Sequence, residues 1–313
     1  MKNFISNARW FDEDFGFSFT KSVFTSLKIA GYDVTQTQIA ARSGFAFRIW
    51  IAKTLCPSAM SIFDWDFLKK GVEQCGFEVT HISRLWNEEY LEVERREKAH
   101  AAIKKAIDDG IPAIVWDACT PEWELITGYD DDNREYSVLS VTGKIEVMHY
   151  DRLGRREIPI MSVTIPGKPN GMTEAESAKA VLQMAINHAR QGEWEDRPEY
   201  QDGLNAYATW AEAMNNVTEN DWQSRYYIQT YECMRHYAAE YLSSLAGDIK
   251  ELQSAAKQYK DVHNNLKAAL LLRNDSSFPT SEIIHKIKQH ILLAGEAEEQ
   301  GIIAIEEYLK TIS

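Results

Sequence analysis

The chain has no apolar run of 18 or more residues, so nothing in it reads as a membrane span. Its start, MKNFISNARWFDEDF, has no hydrophobic stretch of the signal-peptide kind. Sulfur is scarce. Cys56, Cys75, Cys119 and Cys233 are its four cysteines, far apart and without a CxxC pair or zinc spacing. That excludes a disulfide scaffold and points to a reduced, cytoplasmic protein. Positive charge is also short: 34 Lys and Arg stand against 47 Asp and Glu, for a net charge of −13. Such a surface offers no footprint for nucleic acid or an anionic membrane. There is no internal repeat and no low-complexity tract, and no cofactor is expected.

What the chain does contain is enough apolar residue, 44% of 313, for one large core or two modest ones. Val23, Phe24, Leu27 and Ala30 keep helical spacing and Gly31 supplies a stop, predicting a helix from about residue 18. SGFAFRIWIAKTL (43–55) is aromatic and apolar without a clear period, consistent with a buried helix or a loop. FDWDFLKKGVEQCGFEV reads as a helix ended by Gly76. Residues 89–109 read as a charged helix closed by Gly110 and Pro112. Five β-rich runs follow, IPAIVW, WELITGYD, REYSVLSV, KIEVMHY and REIPIMSVTI, separated by turn residues and predicting an antiparallel meander.

PGKPNG (166–171) is the natural linker. It divides an α+β domain (1–165) from an all-helical domain (172–313). Thr173-x-x-Glu176 is a capping box, followed by a stripe of Ala178, Val181, Leu182 and Ala185. Tyr227, Tyr231, Met234, Ala238, Tyr241 and Leu245 step by three and four up to Gly247. Two further helices fit 248–272 and 280–311. The apolar side of the last suits packing on another helix, including that of a second copy in a homodimer.

Ser18 and Lys21 form a Ser-x-x-Lys pair at the start of the first helix. The serine-hydrolase motif of that form needs Ser-Asp-Asn and Lys-Thr-Gly partners, and neither tripeptide occurs. Read alone, Ser18 is a helix cap. Larger pieces carry a resemblance: LKIAGYDVTQTQIAARSGFAFRIW, then CPS at 56–58, then AIDDGIPAIVWDACTPEWELITGYDDDNREYSV. These resemble the peptidase-C39-like group, and within it the branch similar to the N-terminal domain of the butirosin biosynthesis protein BtrH. YQDGLNAYATWAEAM is similar to a helix found after the core in such proteins. The likeness covers about residues 15–140. It implies a papain-like fold, a nucleophile helix packed on an antiparallel sheet.

At the positions that the resemblance gives to the catalytic Cys, His and Asp stand Ser18, Glu122 and Ser140. All three roles are altered. A hydroxyl needs a stronger base than a thiol does, and an ionised glutamate is a weak one. The resemblance therefore implies a catalytically inactive, ligand-binding protein. Its old cleft would be framed by Phe17, Phe45, Phe47, Trp50, Trp116 and Trp123, with Arg48 as a lone cation for a carboxylate or phosphate. The expected ligand is a small molecule, an acyl group or a peptide-like group. The same aromatics equally suit plain core, and Arg48 equally suits pairing with Asp117, Glu122 or Glu124.

Two alternatives stand beside this. One is a BtrH-like acyltransferase or hydrolase using Ser18, or using Cys119 or Cys56 with His81 or His149 as base. The other is an assembly module acting through its helices. YDDDN (129–133) lacks the spacing of a calcium loop and reads as an Asx-type hairpin turn. His285 and His290 do not share a helix face, so zinc is not indicated.

Overall fold

The computed structural model describes residues 1–11, 16–61, 63–193, 198–218, 221–274 and 279–312. In chain order the elements are β1 (Lys2–Phe4), α1 (Ser18–Ile29), α2 (Gln36–Arg42) and β2 (Trp50–Ala52). Then come α3 (Asp66–Gln74), β3 (Phe77–Arg84), α4 (Glu92–Asp108), β4 (Ala113–Trp116) and β5 (Trp123–Asp130). β6 (Glu135–Leu139), β7 (Ile145–His149) and β8 (Met161–Pro169) complete the strand-rich part. After it lie α5 (Glu174–Gln191), β9 (Tyr200–Asp202), α6 (Asn205–Ala213), α7 (Gln223–Ala246), α8 (Lys250–Asn274) and α9 (Ser281–Thr311).

These elements form two compact units. The first comprises the described residues of Met1–Glu13, Phe17–Ile39 and Trp65–Thr173; the second takes those of Asp14–Gly16, Ala40–Asp64 and Glu174–Ser313. A single cut at 166–171 does not describe this arrangement. Residues 166–169 continue β8, and the aromatic segment 40–64 belongs with the C-terminal helices.

The first unit is built on an antiparallel sheet in the order β3-β8-β4-β5-β6-β7, with β1 paired to the far half of β5. β4 to β7 are the expected meander. The fifth run, β8, leaves it: instead of flanking β7 it inserts between β3 and β4, pairing Val163 with both Ile82 and Val115. β3, which was not foreseen as a strand, becomes the edge. On one sheet face α4 sets Ala99, Ile103 and Ile107 against Val115, Ile126, Val138 and Val163, all essentially without exposure. Each such aliphatic side chain contributes about 1.5–3 kcal/mol on burial. Trp116 and Trp123, one residue out of phase with Val115 and Glu124, point to the other face, where α1 lies.

The second unit is helical, with a two-stranded ribbon of β2 and β9. The stretch 43–55, open between helix and loop from sequence, is a loop leading into β2. It is held by one stripe of α7. Tyr231 Oη accepts from Trp50 N (2.8 Å) and donates to Trp50 O (2.7 Å). Tyr227 Oη donates to Cys56 O (2.6 Å). Arg235 Nη1 donates to Ala46 O (3.0 Å) and Arg48 O (2.9 Å). Behind this stripe Arg235 and Glu298 of α9 form a fork of two 2.8 Å bonds at 0% and 2% exposure, and Tyr207 also donates to Glu298. The apolar stripe of α9, from Ile287 to Leu309, is buried within this same chain.

Candidate functional site

The site is assembled from the N-terminus of α1 and the hairpin joining β4 to β5. Trp116 and Trp123 close the ladder, and residues 117–122 form the tip. Asp117 N donates to Glu122 O (2.9 Å), with Asp117 at φ +52°, and Glu122 N donates to Thr120 O (2.7 Å). The tip is fixed from inside by Glu124, which has no exposure. Its carboxylate accepts from Cys119 N (2.7 Å), Thr120 N (3.3 Å), Thr120 Oγ1 (3.0 Å) and Val141 N (3.3 Å). Burial raises the Glu124 pKa, and these donors oppose the rise. From outside, Arg156 reaches Asp117 Oδ1 (3.2 Å) and Cys119 O (3.2 Å). Burial raises the Asp117 pKa as well, against the pull of Arg156.

This holds Glu122 opposite α1. Ser18 is the first residue of that helix, not its cap: Phe17 is the N-cap and makes no side-chain capping bond. The Ser18 hydroxyl points across to the hairpin, donating to Glu122 Oε2 at 2.5 Å and accepting from Trp123 N at 3.3 Å. Its register is set by two more serines at helical spacing. Ser22 Oγ donates to Trp123 O (3.0 Å) and Ser26 Oγ to Pro112 O (2.7 Å). The positions matched to nucleophile and base are thus in direct contact. The third is not: the Ser140 hydroxyl bonds to Thr142, while its carbonyl accepts from Trp10 Nε1 (2.8 Å). Lys21 lies over the Trp10 ring, 5.5 Å from its centre.

Aromatic rings pack around Ser18. Phe17 and Phe19 meet Trp123 at 5.3 and 5.8 Å, and Trp116 meets it at 4.4 Å. Phe17 and Trp123 are buried at 6% and 1%, while Trp116 and Glu122 stay partly exposed. Phe45, Phe47, Arg48 and Trp50 belong to the second unit, and all four are buried there. Trp50 stacks on Phe63 (4.7 Å), Phe45 lies 5.6 Å from Phe63, and Phe47 meets Tyr259 edge-on. Arg48 is paired within the second unit. Its Nε bonds Glu193 at 2.9 Å, and His188 Nδ1 lies 3.0 Å from the same carboxylate.

The residues of the cysteine alternative stand in different surroundings. Burial, then the charge of Glu124, pushes the Cys119 thiol up to about 12, so it is not a thiolate at neutral pH. His81 is held by Thr164 Oγ1 (2.9 Å), with burial lowering its pKa to about 4, and His149 accepts from Asp151 N. Cys56 is exposed and receives the Ser58 hydroxyl. The YDDDN turn is the expected Asx type: Asp130 Oδ1 accepts from Asp132 N (3.0 Å) and Asn133 N (3.3 Å). Among the described residues no group of three His, Cys, Asp or Glu is placed to hold a metal ion. None of their helices is long and apolar enough to cross a membrane.

Sequence reasoning reached Ser18 and Glu122 and passed over Glu124 as an anchor. Its one signal was an acid flanked by Trp123 and Leu125 inside an otherwise apolar strand. No family model and no curated protein matches the chain.

Proposed function

We propose that this chain is a catalytically inactive member of the papain-like, peptidase-C39-like class, similar in pattern to the branch of the BtrH N-terminal domain. It acts by binding a small-molecule, acyl or peptide-like ligand at the Ser18–Glu122 face of its first unit. One observation carries the reading: the Ser18 hydroxyl is a donor to the Glu122 carboxylate. A carboxylate is a far weaker base than the imidazole that activates such nucleophiles, so the pair is a static hydrogen bond and not a proton relay. Glu122 and Trp116 supply the accessible polar and aromatic surface of the face.

The test is acylation. Incubation with an activated acyl thioester, followed by intact-protein mass spectrometry, is expected to leave Ser18 unmodified. Ser18→Ala should match the wild type in residual thioester loss. An adduct on Ser18 that the alanine variant lacks would establish the acyltransferase reading instead. The burial of Phe17 and Trp123 favours a second reading, an assembly module with no ligand at this face. A thermal-shift screen with acyl and peptide-like compounds separates the two. Stabilisation that Glu122→Gln abolishes supports binding; a silent screen supports the module.

A further inference from the structure

A second polar site lies on the opposite face of the sheet. A cavity of about 240 Å³ opens beside α4, lined by Arg96, Glu97, His100, Arg134, Tyr150 and Asp151. Arg134 is the unusual member. It ends the β5–β6 turn at φ +56°, in the left-handed region where glycine or asparagine is the ordinary choice. A strained backbone is kept where the side chain is needed, and here that side chain is a guanidinium.

The Arg134 Nη2 lies 2.8 Å from Asp151 Oδ1, with the guanidinium over the Tyr150 ring. Arg96 Nη1 approaches the same oxygen at 3.3 Å, its Nε being steadied by Glu92 at 2.9 Å. Two cations therefore converge on one point. The floor adds a third donor. His100 stands edge-on to Tyr150 at 4.1 Å, and its Nδ1 is bonded to the Tyr136 hydroxyl. Burial keeps Tyr136 protonated, so that hydroxyl donates, and the neutral ring carries its own proton on Nε2. Burial and Lys104 together lower the His100 pKa, which keeps the ring neutral at pH 7. The acids nearby are Glu97 and Asp151 on the rim, Glu92, which Arg155 also pairs at 2.8 Å, and Asp131, which Lys104 neutralises at 2.6 Å.

We propose that this pocket binds a compact organic anion, its carboxylate or phosphate held by Arg96, Arg134 and the His100 Nε2–H, with Asp151 occupying the anion's place in the ligand-free chain. Asp151 is half-exposed and sits on the short turn Tyr150–Arg152, from which its side chain can swing outward. The cavity fits a ring the size of benzene beside Tyr150. Asp151 is then an internal competitor, and apparent affinity falls by the fraction of time that it holds the arginines. The site is independent of Ser18 and Glu122.

The experiment is calorimetric titration of the full chain with benzoate and with phenyl phosphate, against sodium chloride at matched ionic strength. Asp151→Asn should bind at least one probe about two- to fivefold more tightly than wild type, the range expected for removing an exposed ion pair. Arg134→Gly should abolish binding while leaving the fold intact, because glycine suits the turn better than arginine does. A thermal melt of that variant at or above the wild-type midpoint certifies this. The proposal falls if neither probe binds wild type or Asp151→Asn, if Arg134→Gly binds as wild type does, or if sodium chloride reproduces the effect.

Discussion

His81 is a base kept neutral by its surroundings, and that has a measurable cost in acid. Its folded pKa is about 4, against an ordinary 6.5, with burial as the main cause. Between those values the unfolded chain binds a proton that the folded chain refuses, so stability falls as pH drops from about 6.5 towards 4. The loss is at most about 3 kcal/mol. Urea titrations at pH 7 and pH 4.5 should show the His81→Asn variant with a flatter dependence than wild type; equal slopes would refute the assignment. At this scale the sequence was partly readable. Ser18 and Glu122 were picked out by resemblance and do touch. Glu124 was not, because an acid inside a strand pattern is ordinarily taken as facing water. Its four donors come from a loop and from Val141, whose approach depends on the fold.

Elements dock here through stripes of polar side chains set at helical spacing. Ser18, Ser22 and Ser26 fasten α1 to the β4–β5 hairpin, and Tyr227, Tyr231 and Arg235 fasten the 46–56 segment to α7. Ser26→Ala deprives a buried Pro112 carbonyl of its donor and should cost about 1–2 kcal/mol in chemical denaturation. Tyr231→Phe removes two bonds at once and should cost about 2–3 kcal/mol by the same measurement. A loss below about 0.5 kcal/mol in either would mean the stripe is incidental. Helices with an apolar period and a stop, such as α1 before Gly31, α5 after Thr173, α8 and α9, were legible in the chain. So was the β4–β7 meander, whose neighbours are joined by short turns. The placement of β8 was not, since strand alternation tells which face is buried and nothing about a distant partner. Segment 40–64 was illegible for a related reason: its apolar residues are interrupted irregularly by Arg42, Arg48 and Lys53, and neither period stands out.

The second unit is organised on a buried ion pair, Arg235 with Glu298. Arg235→Met alone strands a carboxylate at 2% exposure and should cost about 3–5 kcal/mol. The double variant Arg235→Met/Glu298→Leu should recover most of that in a urea titration; a double variant as unstable as the single would place the damage in the lost carbonyl contacts at Ala46 and Arg48 instead. From Phe17 onward, the path runs from the first unit to the second at residue 40, back at 65, and over again at 174. This threading imposes a timetable on synthesis. Phe47 and Trp50 leave the ribosome well before α8 and α7, whose Tyr259 and Tyr231 they contact and bond. For the time it takes to make those 170-odd residues, about 10–30 s at ordinary elongation rates, an aromatic-rich loop waits without the helix stripe that holds it. The nascent chain is then at its most adhesive, and a holdase that recognises extended aromatic segments has its clearest target in the stretch from Phe45 to Trp50.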